Sequence, residues 1–309
     1  MTADAGFLDE GVAHVLNLIG GPGGPPSVEA LRSRSPLISE LKGPPEPVDT
    51  VKDLSIDGPG GDLRLRLYHP GGETAPPLLV YLHGGGFVIG DLEIQDGLCR
   101  ALANRAGCAL LSVDYRLAPE HPFPAALDDT SAALEWAAAN APQLDADPLR
   151  LGIAGDSAGG NLAAAAALRA RDRGGPDLRV CAVLCPVIDC RTDDRSMRQL
   201  AEGYFLTRER MAWYWDLYAP AGVDRTSPEL SPLRAELAGF PPAVVVTAGL
   251  DPLMDQGVDF ARACCDAGVD TALIHRSGTI HGFLGFQASL PDARAALDEV
   301  SALLARRLE

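Results

Sequence analysis

The sequence predicts an α/β protein built on a mainly parallel sheet with helices on both faces. Two observations carry this. From residue 77 onward, apolar runs of strand length recur: PLLVYLH (77–83), ALLSVDY (109–115), LRLGIAG (149–155), VCAVLCPVID (180–189), AVVVTAG (243–249) and TALIHRS (271–277). Between them lie segments of helical length at 96–106, 124–140, 158–173, 254–267 and 290–307. Near-continuous apolar strands are those buried on both faces, and parallel neighbours need a long crossover, usually a helix. No internal repeat of solenoid-like period competes with this reading.

The elements that precede this rhythm differ in kind. Residues 1–19 carry helical apolar spacing at Phe7, Leu8, Val12, Val15, Leu16 and Ile19, broken by GGPGGPPS at 20–27. A second short helix is expected from Val28 to Leu41, ended by GPPEP at 43–47. VKDLSI (51–56) and the alternating LRLRLYH (63–69), joined across GPGG (58–61), read as a hairpin at the sheet's edge. Residues 190–240 are longer than a crossover needs and contain the aromatic stretch GYFLTRERMAWYWDLYAP (203–220). With residues 1–45 they are expected to form a helical cap over the C-terminal edge of the strands, where open α/β sheets bind ligands. The division is therefore residues 1–45 as the N-terminal part of the cap and 46–309 as the catalytic domain, with a cap insertion at about 190–240.

Charge and cysteine usage narrow the function classes. The chain has 309 residues, near the upper limit for one core, and a formal net charge of −16 from 42 acids and 26 bases. Such a surface repels nucleic-acid phosphates and anionic lipid. The N-terminal MTADAGFLDEGVAHVLNLIG holds acids and no base, unlike a secretory signal, and no apolar run is long enough to span a membrane. The seven cysteines form no CxxC and no zinc-like cluster with histidine. They read as reduced core residues, which points to a cytoplasmic location and no metal.

Four short motifs carry chemistry. In LGIAGDSAGGNL (151–162), Ser157 follows a strand and opens a helix. A serine on so sharp a turn is strained, and Gly155 and Gly159 remove the bulk that would block it. The helix start that follows supplies free N–H groups and positive partial charge. In HGGGFVIGD (83–91), three successive glycines let backbone N–H groups approach a ligand, as an anionic transition-state oxygen requires. A phosphate loop is disfavoured because no Gly-Lys-Ser/Thr follows. In GLDPLMDQG (249–257), Asp251 ends a strand; Asp followed by Pro also suits a helix N-cap, and Asp255 is the rival acid. In GTIHGF (278–283), His281 lies in a loop after the next strand. The order Ser157, Asp251, His281 is that of nucleophile, acid and base in a serine hydrolase of α/β type. His83 is expected to brace the glycine loop rather than act as base, and His14, His69, His121 and His275 lack a matching context.

These residues give the chain a recognisable resemblance. His83-Gly84-Gly85-Gly86-Phe87, Tyr115-Arg116-Leu117-Ala118-Pro119-Glu120, Gly155-Asp156-Ser157-Ala158-Gly159-Gly160, Asp251-Pro252-Leu253 and His281-Gly282-Phe283 resemble the hormone-sensitive lipase-like branch of α/β-hydrolases, the bacterial family IV esterases. The resemblance covers about residues 50–307, and Asp156 before the nucleophile suggests the esterase subgroup. One departure is Gln256, where many relatives carry an acid. The resemblance implies the α/β-hydrolase fold with a helical cap and a carboxylesterase that needs no cofactor. It implies short-to-medium acyl esters as substrates and a dimer through the last strand's edge.

The expected roles are Ser157 as nucleophile, His281 as base and Asp251 as its orienting acid. Gly84, Gly85 and Ala158 are expected to hold the oxyanion. Phe87, Trp213 and Phe283 are expected to line the substrate pocket, while Met211, Tyr214, Trp215 and Tyr218 share a helical face that suits packing. An amidase, deacetylase or acyltransferase on the same triad, and a non-catalytic ligand receptor on the same fold, stay open.

Overall fold

In the computed structural model, residues 10–19, 27–33, 42–72 and 74–309 are described. Eight strands form one sheet: β1 (Thr50–Gly58), β2 (Gly61–His69), β3 (Pro77–Leu82), β4 (Ala109–Val113), β5 (Asp147–Asp156), β6 (Val180–Leu184), β7 (Ala243–Leu250) and β8 (Thr271–Ile280). Their order is β1-β2-β4-β3-β5-β6-β7-β8. β2 runs antiparallel to β1 and β4, and every other pair is parallel. The expected hairpin is thus the edge of the sheet, and each expected strand is present.

Helices cover both faces. α1 (Glu10–Ile19), α3 (Asp96–Ala106) and α9 (Pro291–Leu308) bury their apolar residues on one side. α4 (Ala125–Asn140), α5 (Ala158–Arg173) and α8 (Met254–Asp266) bury theirs on the other. The short α2 (Val28–Arg32) adds Leu31 to that second side. β3 shows why both cores exist: Leu78, Val80 and Leu82 enter one, and Leu79 and Tyr81 the other. Alternation along a strand sends successive side chains to opposite faces, and here both faces are covered.

Within 190–240 lie α6 (Arg195–Gln199) and α7 (Arg208–Tyr218). Thr207 caps α7 by accepting the Arg210 N–H at 3.0 Å. Met211, Tyr214, Trp215 and Tyr218 are buried along one face of α7, the spacing a helix requires for a single apolar stripe. The expected apolar positions Phe7 and Leu8, and the expected helical residues 34–41, lie outside the described residues. Among the described residues, no helix is long and apolar enough to cross a membrane, and no group of three His, Cys, Asp or Glu side chains is placed to hold a metal. All seven cysteines are free thiols.

Candidate active site

Ser157 stands at the junction of β5 and α5 with φ 54° and ψ −116°, a conformation that costs a non-glycine residue energy. The surroundings hold it there: its N–H donates to Leu184 O at 2.8 Å, and its carbonyl accepts from Val187 N at 3.1 Å. A Cβ on Gly155 would collide with Gly159 O, and one on Gly159 with Leu82 O. Only hydrogen fits at either position, so α5 can start close against β3. Its run from Ala163 to Ala167 is buried and keeps that closeness along the helix.

The structure brings Ser157, His281 and Asp251 together. His281 Nε2 is 2.9 Å from Ser157 Oγ, and His281 Nδ1 is 2.7 Å from Asp251 Oδ2. A carboxylate only accepts, so Nδ1 carries the proton and Nε2 is left to accept from the serine hydroxyl. All three side chains are buried. Burial pushes the imidazole pKa down. The charge of Asp251 and its hydrogen bond push it up and win, so it lies above the ordinary 6.5. Asp251 also accepts from Leu253 N at 2.9 Å, which fixes the carboxylate's plane. It is not the helix cap, because α8 begins at Met254 with Leu253 in the cap position. The rival Asp255 faces elsewhere: its Oδ2 accepts from Ser196 N at 2.8 Å and ties α8 to α6.

One expected role is corrected. The Gly84 N–H donates to Asp156 Oδ1 at 2.9 Å, so it is spent. Gly85 and Gly86, at φ +130° and +61°, line the cavity beside Ser157. No acceptor among the described residues takes their N–H groups. The Ala158 N–H is also free, as the first N–H groups of a helix are. The N–H groups left without an acceptor around the serine are therefore those of Gly85, Gly86 and Ala158.

Asp156 is what holds the glycine loop. It accepts from Tyr81 Oη at 2.7 Å, from Gly84 N, and from Gln95 Nε2 at 2.9 Å. Lys42 extends the network by donating to Gln95 Oε1 at 2.8 Å and to Ile94 O at 2.7 Å. Burial lowers the pKa of the Lys42 ammonium against the pull of Asp156. On the other side of the loop, His83 stacks on Tyr115 with ring centroids 4.2 Å apart and donates from Nδ1 to Gly84 O at 2.8 Å. Burial lowers its pKa, so it stays neutral and braces the loop.

A family model of the alpha/beta hydrolase fold matches residues 79–285. The chain belongs to the α/β-hydrolase family. The carboxylic ester hydrolase LipN of Mycobacterium tuberculosis is 42% identical to it, over 90% of this chain and 76% of that one. The carboxylesterase NlhH of the same organism is 38% identical, over 91% of this chain and 90% of its own. The solved esterase of Pyrobaculum calidifontis superposes with a TM-score of 0.90 at 37% identity, covering 97% of this chain and 98% of its own. The resemblance read from the motifs, to esterases of the hormone-sensitive lipase-like branch, agrees with these relatives.

The hydrolase has a cavity of about 120 Å³ against Ser157 and His281. Its walls include Leu98, Phe205, Met211, Tyr214, Leu284 and Phe286. Phe87, Trp213 and Phe283, expected there, do not line it. The positive φ of Phe87 turns its ring away onto Tyr218, where the two stack 3.8 Å apart. Phe283 is buried in the core on the α3 and α9 side. Trp213 is half-buried against Tyr214 with centroids 5.3 Å apart. Met211 and Tyr214, read from the sequence as packing residues, do both jobs. Cys185 also borders the cavity, but burial raises its thiol pKa well above the usual value, which keeps it a poor nucleophile.

Lys42, Gln95 and Arg210 escaped the sequence reading because no motif surrounds them. Gln256, the departure from the family pattern, is a buried clamp. Its Oε1 accepts from Ile188 N and Asp189 N at 3.2 and 3.1 Å, and its Nε2 donates to Arg191 O at 2.9 Å. It also donates to Asp194 Oδ2 at 3.2 Å, a contact that a carboxylate would turn into repulsion.

Proposed function

We infer that this hydrolase cleaves carboxylic esters through an acyl-enzyme on Ser157. The observation that carries the reading is the unbroken chain from Ser157 Oγ through His281 to Asp251 beside free backbone N–H groups. His281 Nε2 takes the hydroxyl proton as Ser157 Oγ bonds to the ester carbonyl carbon. The carbonyl oxygen becomes an anion held by Gly85, Gly86 and Ala158, and one such donor is worth roughly 10²–10³ in rate. His281 then protonates the departing alkoxide, which leaves as alcohol. Water repeats the sequence on the acyl-enzyme and releases the acid. Asp251 stays ionised and stabilises the imidazolium in both halves.

The small cavity supports short-to-medium acyl esters as substrates. A cap made of residues 1–45 and about 190–240 is supported by the place of Lys42, Met211 and Tyr214 in the cavity wall. A cytoplasmic location fits the seven free thiols. A homodimer through the free edge of β8 fits its position at the end of the sheet and the exposed Leu273.

The test is hydrolysis of 4-nitrophenyl acetate, butyrate, octanoate and laurate by wild type and Ser157→Ala. Release that depends on Ser157 and falls with chain length is expected. Release that survives Ser157→Ala sinks the mechanism. Ser157-dependent release rising toward laurate sinks the chain-length assignment, and sedimentation showing only monomer removes the dimer.

A further inference from the structure

Among the described residues, Arg210 is a cation without a partner in the wall of the catalytic cavity. It lies on α7 and borders the same space as Ser157 and His281. Its Nε is buried and meets no hydrogen-bond acceptor, and its side chain forms no ion pair among the described residues. Arg210 as a whole is half-buried, but a guanidinium nitrogen withdrawn from water nearly always finds an acceptor, because an unmet charged donor is costly.

The rest of the cavity's charge does not answer it. Asp156 is the acid in the lining, and it is already taken by Tyr81, Gly84 and Gln95. Lys42, the other cation there, rests on the neutral oxygens of Ile94 and Gln95. The lining therefore holds two fixed cations, Lys42 and Arg210, against one engaged carboxylate. This positive interior sits in a chain whose formal net charge is −16. A charge inside apolar walls acts at far greater strength than one at the surface.

The position of Arg210 sets where an anion would sit. Tyr214 is one turn further along α7, and its ring packs against Gly86 of the oxyanion loop. Four residues of helix rise about 6 Å. Arg210 therefore shares the face of α7 that carries Tyr214, one turn removed from the part of the wall that meets the oxyanion loop.

We propose that the hydrolase prefers esters that carry a carboxylate, with Arg210 binding that carboxylate at the end of the cavity remote from Ser157. The planar guanidinium fork matches a carboxylate in a two-point, charge-assisted pair. This rests on the ester-hydrolase reading above and adds the substrate's charge. The carboxylate enters on the acyl side in a half-ester of a dicarboxylic acid, or on the alcohol side in an acyl ester of a hydroxy acid.

The experiment measures kcat/KM by acid release for two series. Ethyl half-esters of succinate through suberate are paired with ethyl esters of monocarboxylic acids of equal length. O-Acetyl ω-hydroxy acids are paired with acetyl esters of plain alcohols. The readout is the ratio of anionic to neutral substrate. At the best length in one series, the expected ratio for wild type is above about 10, and Arg210→Gln lowers it roughly 10–100-fold. Arg210→Lys keeps part of it, and added salt reduces it. A wild-type ratio at or below one at every length in both series overturns the proposal, as does a ratio unchanged in Arg210→Gln. If Arg210→Gln does not fold, Arg210→Lys decides: a ratio that moves supports the pairing and one that does not refutes it. Should wild type hydrolyse neither member of any pair, the ester-hydrolase reading itself fails and takes this one with it.

Discussion

The two sides of the cavity are built in different ways. On the sheet side, each working group stands at the end of a strand. Ser157 follows β5, Asp251 follows β7, His281 follows β8, and the glycine loop follows β3. On the opposite side, Lys42, Gln95 and the α7 residues Arg210, Met211 and Tyr214 arrive from three segments far apart in sequence. The first side is positioned by hydrogen-bonded strands and by glycines that admit no side chain. The second is positioned by side chains packed against one another. Chemistry is thus fixed by short-range backbone geometry, and substrate fit by long-range packing.

That contrast is broken or sharpened by four kinds of variant. The largest effect is expected at the triad. Asp251→Asn should lower kcat about 10⁴-fold with the circular dichroism spectrum unchanged. Asp255→Asn should instead lower the melting temperature through about 1 kcal/mol of lost hydrogen bonding, with kcat within a few fold. Equal losses of activity would mean that the acid has been misassigned. Next comes the glycine loop. Asp156→Ala removes the acceptor that holds Gly84 and should cut kcat roughly 10²-fold, with KM moving less, as misplacing an oxyanion donor does. Asp156→Asn, which retains one acceptor oxygen, should recover part of that loss. A KM effect alone would place Asp156 in binding instead.

The third effect is in pH. The base must be neutral to accept a proton, so kcat/KM should fall as pH drops through the His281 pKa. That limb lies above 6.5, because the pull of Asp251 outweighs burial. In Asp251→Asn the charge that raises the pKa is gone, and the limb should move to lower pH. A limb that does not move would show that Asp251 does not set it. The smallest effect is expected on the cap side. Tyr214→Ala and Met211→Ala should enlarge the cavity and shift chain-length preference upward by roughly 10-fold in the ratio of octanoate to acetate. Trp213→Ala, outside the lining, should leave the ratio within about twofold. A larger shift from Trp213 would redraw the wall.

The same contrast explains what the sequence revealed. Strands, hairpin and triad were legible because each is written in neighbouring residues: an apolar run, then a turn, then one reactive side chain. β8 proved longer than its apolar run, reaching Ile280 and carrying His281 directly to its place. Gly84 was misjudged because nothing local shows that Asp156, seventy-two residues away, claims its N–H. Phe87 and Phe283 sit beside catalytic motifs in sequence, yet their backbones turn the rings into the core. Adjacency to a motif does not fix which way a side chain faces. Arg210 and Lys42 carried no signal at all, since an unpaired charge is a property of its surroundings.

Arg32 on α2 has a consequence for behaviour on heating. Its guanidinium donates to Val88 O at 3.0 Å, to Ala118 O at 3.1 Å and to both oxygens of Glu120 at 2.8 Å. It thereby fastens α2 to Val88 beside the glycine loop and to the turn that follows β4. That fastening is polar and partly open to water, whereas the strands behind it are fully buried. Regions held by few buried contacts open at lower free energy than the core they rest on. On warming, α2, which buries only Leu31, should therefore lift before the sheet melts, and the molecule would fall silent while still folded.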